Sequence, residues 1–165
     1  MIDEKLLAAA RLLLRHGEIV DRWEASVLAD TSITSARLLG ATRLCRYMPR
    51  LLDVVVHALR DGAYEDATGV RATAHDITRL HASDRIDAGF SLQESQRELA
   101  HFESVLSADL DRVAGGRTIM ERVLGDAREG IERAYSIVAA QRRNERGAHP
   151  PTSAASAFAP LPRDV

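Results

Sequence analysis

The sequence predicts an all-α protein, a single-domain bundle of about five main helices, and three observations carry that expectation. Apolar residues recur at steps of three and four through almost every segment up to about residue 143, the period that keeps one face of a helix inward. No stretch alternates apolar and polar residues for long enough to argue a strand. Aromatic residues make up only 4% of the chain, with Trp23 alone of its type, so the core must be built from Leu, Val, Ile and Ala, which suits packed helices. A length of 165 residues supports one sizeable core but not two domains of ordinary size.

The first apolar stripe runs through Leu6, Leu7, Ala10, Leu13, Leu14, Gly17, Val20, Trp23 and Val27, with Gly17 as the expected kink. Residues 30–41, rich in Thr, Ser and small side chains, read as a connection. Pro49 is tolerated in a first turn, so a helix starts near Met48, carries Leu51, Leu52, Val55, Val56 and Leu59 inward, and ends around Asp61-Gly62. The next covers 67–88, with Val70, Ala74, Ile77, His81 and Ala88 on one side and Gly89 as its cap.

Ser91-Leu-Gln-Glu94 is a capping box that opens a further helix, whose stripe is Leu92, Leu99, Phe102, Leu106, Leu110 and Val113. Residues 67–113 therefore form an antiparallel hairpin with a very short turn at Gly89-Phe90. A second box, Thr118-Ile-Met-Glu121, opens the last helix after Gly115-Gly116. Its apolar residues, Met120, Leu124, Ala127, Ile131, Ala134 and Val138, follow the four-three spacing of a coiled-coil seam and are candidates for a dimer interface. The same helix reads equally as the last member of the bundle, since Val123 and Tyr135 widen the stripe. The folded domain is expected to span 1–143, and 144–165, ending in Ala, Ser and Pro, to be a disordered tail.

Charge narrows the classes of partner. Charged residues are 28% and the net charge is −2, without the basic excess of a nucleic-acid binder. Cys45 is the sole cysteine, which excludes an internal disulfide and a structural zinc site of the usual kind and fits a reducing cytoplasm. No apolar stretch approaches the roughly 20 residues that cross a bilayer, so no membrane partner is expected.

Six histidines invite a metal or haem reading. His75 and His81 are six apart, about 240° around a helix, and cannot share a metal as an i, i+4 pair could. Glu98-Leu-Ala-His101 has the spacing of a di-iron half-site but lacks the second pair and the extra glutamates. Asp53 and His57, four apart, form at most a surface contact. Cys45 lies among Arg43, Arg46 and Arg50, which would make it reactive by lowering its pKa, although a half-buried structural thiol is the preferred reading. No catalytic or metal set emerges, and no enzyme and no cofactor are expected.

The tight hairpin constrains one group more sharply. Folding about residue 90 brings 81 and 85 opposite 99 and 95, so His81 and Arg85 meet Glu94 or Glu98. Such a cluster is either an ion pair that fixes helix register or a site in which a histidine titrates near neutral pH or hydrogen-bonds a small ligand. His81, Arg85, Glu98, Glu94 and Trp23 are thus the ligand-binding or regulatory candidates.

Arg22-Trp23, Met48-Pro49 with Leu51-Leu52, His81, Arg85, Gly89-Phe90-Ser91-Leu92 and Arg97-Glu98 recur in this order and spacing in a known family. Over residues 18–110 the chain resembles the N-terminal domains of RsbRD-type co-antagonists of the RsbT kinase, which also precede some histidine kinases and transcription regulators. The resemblance implies a helical input domain of bacterial signal transduction and stress response. It departs at Glu103, where a basic residue is expected, and the 165 residues carry no STAS, kinase or DNA-binding segment. A free-standing regulator with a protein partner in trans, or a sensor separated from its output, follows from that. The expectation is a cytoplasmic homodimer that acts by ligand or partner binding and dimer rearrangement. One alternative is a globin-like carrier of haem or another small ligand with His57, His75 or His81 as axial ligand, disfavoured by the shortage of aromatics; another is a plain adaptor.

Overall fold

The computed structural model describes residues 3–61, 68–111 and 113–148, and among them the protein is helical with no strand. The helices are α1 (Glu4–Leu14), α2 (His16–Ala29), α3 (Ala36–Leu39), α4 (Ala41–Leu44), α5 (Met48–Asp61), α6 (Thr68–Asp87), α7 (Leu92–Leu110) and α8 (Gly116–Ala148). The all-α bundle is as expected. Six helices are longer than two turns instead of five, because the first divides at Arg15 and not at Gly17. Arg15 leaves helical geometry at φ −103°, ψ 14°.

The division changes which face of α1 is inside. Ala8, Ala9 and Leu12 are buried, whereas Leu6, Leu7, Leu13 and Leu14 of the expected stripe are exposed. α1 is apolar nearly all round, so its periodicity does not choose a face, and the small alanines are what allow close approach to α5, its main neighbour. From α2 onward the stripe holds: Val20, Trp23 and Val27 are buried, joined by Ile19.

α5 is the central helix and touches α1, α2, α6 and α8. Pro49 sits in its first turn, where a missing backbone N–H costs nothing, and eight of its fourteen residues are buried. α6 and α7 form the expected hairpin. Gly89, at φ +84°, occupies a conformation that favours glycine. The Gly89 N–H donates to the Ile86 carbonyl and the Phe90 N–H to the Arg85 carbonyl, the paired bonds of a Schellman motif. The Ser91–Glu94 capping box then starts α7.

α8 packs against α6, α7 and α5. It begins at Gly116, two residues before the expected box, so Thr118 is inside the first turn and the Glu121 carboxylate accepts from Arg117 instead (3.0 Å). It continues to Ala148, past the expected end at 143. The expected tail from 149 onward, and the expected start of α6 at residue 67, lie outside the described residues. Among the described residues no helix is long and apolar enough to cross a membrane.

Candidate functional site: a buried ion-pair node

Four of the five candidates converge where four helical segments meet. Arg85 on α6 and Glu98 on α7 are both fully buried. Arg85 Nε donates to Glu98 Oε2 at 2.9 Å, and Nη2 donates to Oε1 at 2.7 Å, a two-pronged geometry that suits a planar guanidinium. The rest of the Arg85 fork is also occupied. Nη2 donates to the Leu44 carbonyl at 2.7 Å, and Nη1 reaches the Arg43 carbonyl at 3.4 Å and the Asp84 carboxylate at 3.0 Å. These carbonyls lie at the end of α4, so one arginine caps that turn while it pairs with α7. Its guanidinium also lies 5.2 Å from the Phe90 ring centroid. Asp84 is held in turn by Arg43 at 3.0 Å.

Trp23 joins from α2. Its indole Nε1 donates to the Glu98 backbone carbonyl at 3.1 Å, and the ring is fully buried. Burial acts to raise the Glu98 pKa, but the adjoining His81 and the Arg85 guanidinium outweigh it and hold the carboxyl below its usual range.

His81 is 2% exposed, and its Nε2 lies 3.3 Å from Glu98 Oε2. That contact is off-axis for a hydrogen bond, and among the described residues neither ring nitrogen completes one. The ring meets Tyr47 edge-on at 6.0 Å. The cavity beside it, lined also by Met48, Leu51, Thr78 and Leu99, is about 10 Å³, at the lower limit for one water. No haem enters there. His57 and His75 line open surface grooves instead, of about 350 and 700 Å³ respectively.

Glu94 does not join the node. It caps α7 through the Ser91 N–H at 2.8 Å and also accepts from the Ser35 N–H at 3.0 Å and the Thr34 hydroxyl at 3.1 Å. Burial works to raise its pKa, yet the Ser91 and Ser35 N–H groups and hydroxyls bring it down to about 2. Glu94 therefore ties the segment before α3 to the hairpin, a role that its capping-box spacing could not reveal.

Two groups absent from the sequence-based candidates complete the arrangement. Tyr135 on α8 donates to the Phe90 carbonyl at 3.0 Å, which leaves the Ser95 hydroxyl to donate to Tyr135 at 2.7 Å. This links α8 to the hairpin turn. Asp30, at the end of α2, accepts from Ser32, from Arg97 at 3.2 Å and from His101 at 2.9 Å. Led by the Ser32 hydroxyl, these partners hold its carboxyl well below the usual range.

The remaining candidates separate. Met120, Leu124, Ala127 and Ile131 are at most 2% exposed inside this chain's own core, so only Ala134 and Val138 of the expected dimer seam reach the surface. Burial first, then the Glu24 carboxylate, pushes the Cys45 thiol up to about 12, in keeping with the preferred reading of a half-buried structural thiol: the nearby arginines do not activate it. His57 contacts the Asp53 backbone carbonyl, not its carboxylate. Glu103, the departure from the family pattern, accepts from Arg128 on α8 at 2.9 Å. Among the described residues no group of three or more His, Cys, Asp or Glu could hold a metal ion.

Comparison with known proteins finds no matching family model, no matching curated protein and no matching solved structure.

Proposed function

We propose that this chain is a non-enzymatic sensory or regulatory domain of bacterial-type signal transduction, related to the RsbRD-type input domains, which acts by ligand or partner binding and rearrangement of a homodimer. The observation that carries this reading is the sealed node. The buried group of ionisable side chains is closed to any substrate, since Arg85 and Glu98 are fully buried and the space at His81 is about 10 Å³. Catalysis needs access; a register device does not. The residues that carry the family resemblance also have connected structural duties: His81, Arg85 and Glu98 in the node, Gly89 and Phe90 in its turn, Trp23 on its backbone. A buried, geometrically specific ion pair is suited to fixing one of two helix registers, and Tyr135 connects that register to α8.

A plain association module is the second reading, favoured by the leucines that α1 leaves exposed. Sedimentation velocity of the full chain separates the two, run with panels of small anions and metabolites and with visible absorbance recorded. The sensory reading expects a colourless dimer whose sedimentation shifts with a small molecule, a shift abolished by His81→Ala but not by His57→Ala. A dimer indifferent to every condition and to His81→Ala leaves association as its only activity. A Soret band contradicts both.

A further inference from the structure

α6 and α8 run parallel, since Arg71 pairs with Asp126 and, further along both helices, Thr78 meets Gly130. They approach closely there: a Cβ at Gly130 would come within 2.9 Å of the Thr78 methyl. Beyond that contact a groove of about 700 Å³ opens between them. Ile86 of α6 with Ala134, Ile137 and Val138 of α8 gives it an apolar lining, and Ile137 is 53% exposed. The two ends differ in charge. At the Gly130 end Arg79 pairs with Asp76 at 3.8 Å, and Arg133 makes no ion pair among the described residues, so this end carries a spare cation. Asp87 stands with Gln141 at the other end.

The chain that follows α8 has the length, the apolar spacing and the charge to occupy this groove. α8 ends at Ala148, about 10 Å beyond Gln141 at the helical rise. The chain must reverse to meet the groove, and so enters at the Asp87 end and runs antiparallel to α8. Residues 149–157 reach up to about 30 Å when extended, enough for the return. Phe158-Ala-Pro-Leu-Pro-Arg-Asp164 comes next. Ala159 and Leu161 each precede a proline, which favours the extended, polyproline II range. At three residues per turn, Phe158, Leu161 and Asp164 then share one face, and their six steps cover about 19 Å against about 16 Å for the part of α8 that lines the groove. In this direction the two apolar side chains lie over Ile86, Ile137 and Ala134, and Asp164 arrives at the end that holds Arg133. The opposite direction would set Asp164 against Asp87. We propose that the groove between α6 and α8 takes the chain's own residues 158–164 as a polyproline-type ligand, so that a protein partner using the same groove must displace them. The proposal does not rest on the sensory reading, and either can fail alone.

Fluorescence anisotropy tests it, with a fluorescein-labelled synthetic peptide of residues 152–165 titrated against the full chain. A tethered segment competes at an effective concentration on the order of 1 mM, so a peptide with a Kd of about 0.1 mM should bind about tenfold more tightly to the full-length Phe158→Ser, Leu161→Ser variant than to the wild type. These changes leave every residue of the described helices in place, so the comparison does not depend on a damaged fold. Adding Ile137→Asp to that variant should abolish binding, and Asp164→Arg in the peptide should weaken it. A peptide that binds both chains equally, or neither, overturns the proposal. Binding that survives Ile137→Asp overturns it by placing the peptide on another surface. A difference between the two chains that vanishes on dilution means that the segment of a second copy fills the groove, which overturns the intramolecular arrangement.

Discussion

Trp23 and Glu98 are joined through the backbone: the indole N–H donates to the Glu98 carbonyl at 3.1 Å, while the carboxylate of the same glutamate grips Arg85. One residue of α7 thereby fixes α2 on one side and α6 on the other, and through Arg85 it also reaches the end of α4. The energetic consequences of that position are specific.

Removing one partner of a buried pair strands the other charge, which costs about 3–5 kcal/mol. Glu98→Gln should therefore lower unfolding free energy by about 3 kcal/mol in urea titrations. The double change Arg85→Met with Glu98→Leu should cost less than Glu98→Gln alone, since neither charge of the fully buried pair is left over: the Leu44 and Arg43 carbonyls and the Asp84 carboxylate lose a donor, and Asp84 keeps Arg43.

Trp23→Phe keeps most of the buried ring and deletes the indole N–H. The expected loss is about 1 kcal/mol, the net value of one buried hydrogen bond. As the only tryptophan, Trp23 also reports its own environment: its fully buried ring predicts blue-shifted emission that moves red on unfolding.

Much of this architecture was legible in the sequence. The hairpin was readable because Gly89 and the Ser91–Glu94 box mark an end and a start only four residues apart from Asp87 to Ser91, which fixes the register and so the meeting of His81, Arg85 and Glu98. The α1 face was not, because a helix with leucine or alanine on every side offers no period to read. The second role of Glu94 was not either, since the partners that compete for it, Thr34 and Ser35, lie about sixty residues away. The α8 seam was ambiguous for a related reason: four-three spacing satisfies a neighbour in the same chain as well as one in another, and α6, α7 and α5 occupy it here.

Acid should destabilise the fold in a defined window. Glu94 is held at about 2 against an unfolded value near 4.5, and Glu98 is also lowered. A depressed folded pKa gives stability that is present above about 4.5 and lost as pH falls toward 2. Urea midpoints should be level from pH 7 to 5 for these groups and then drop, and Glu94→Gln should flatten the decline below pH 4.5.

Cys45 should behave as an inert thiol. With its pKa pushed up to about 12, alkylation by iodoacetamide at pH 8 should be at least about tenfold slower in the folded protein than in urea. Rapid labelling of the native chain would contradict that inertness.

Gly89→Ala places a side chain at φ +84°. About 1 kcal/mol should be lost, and since the motif sets the hairpin register the change should be felt at the node as well as locally.

Hydrogen exchange of the full chain, compared between the wild type and Glu98→Gln, tests most directly whether the node and α8 form one coupled element. The account predicts faster exchange in α2 around Trp23, in the α6–α7 turn and in α8 around Tyr135 together, with α1 unchanged. Faster exchange confined to α7 near residue 98, with α8 as in the wild type, would contradict it.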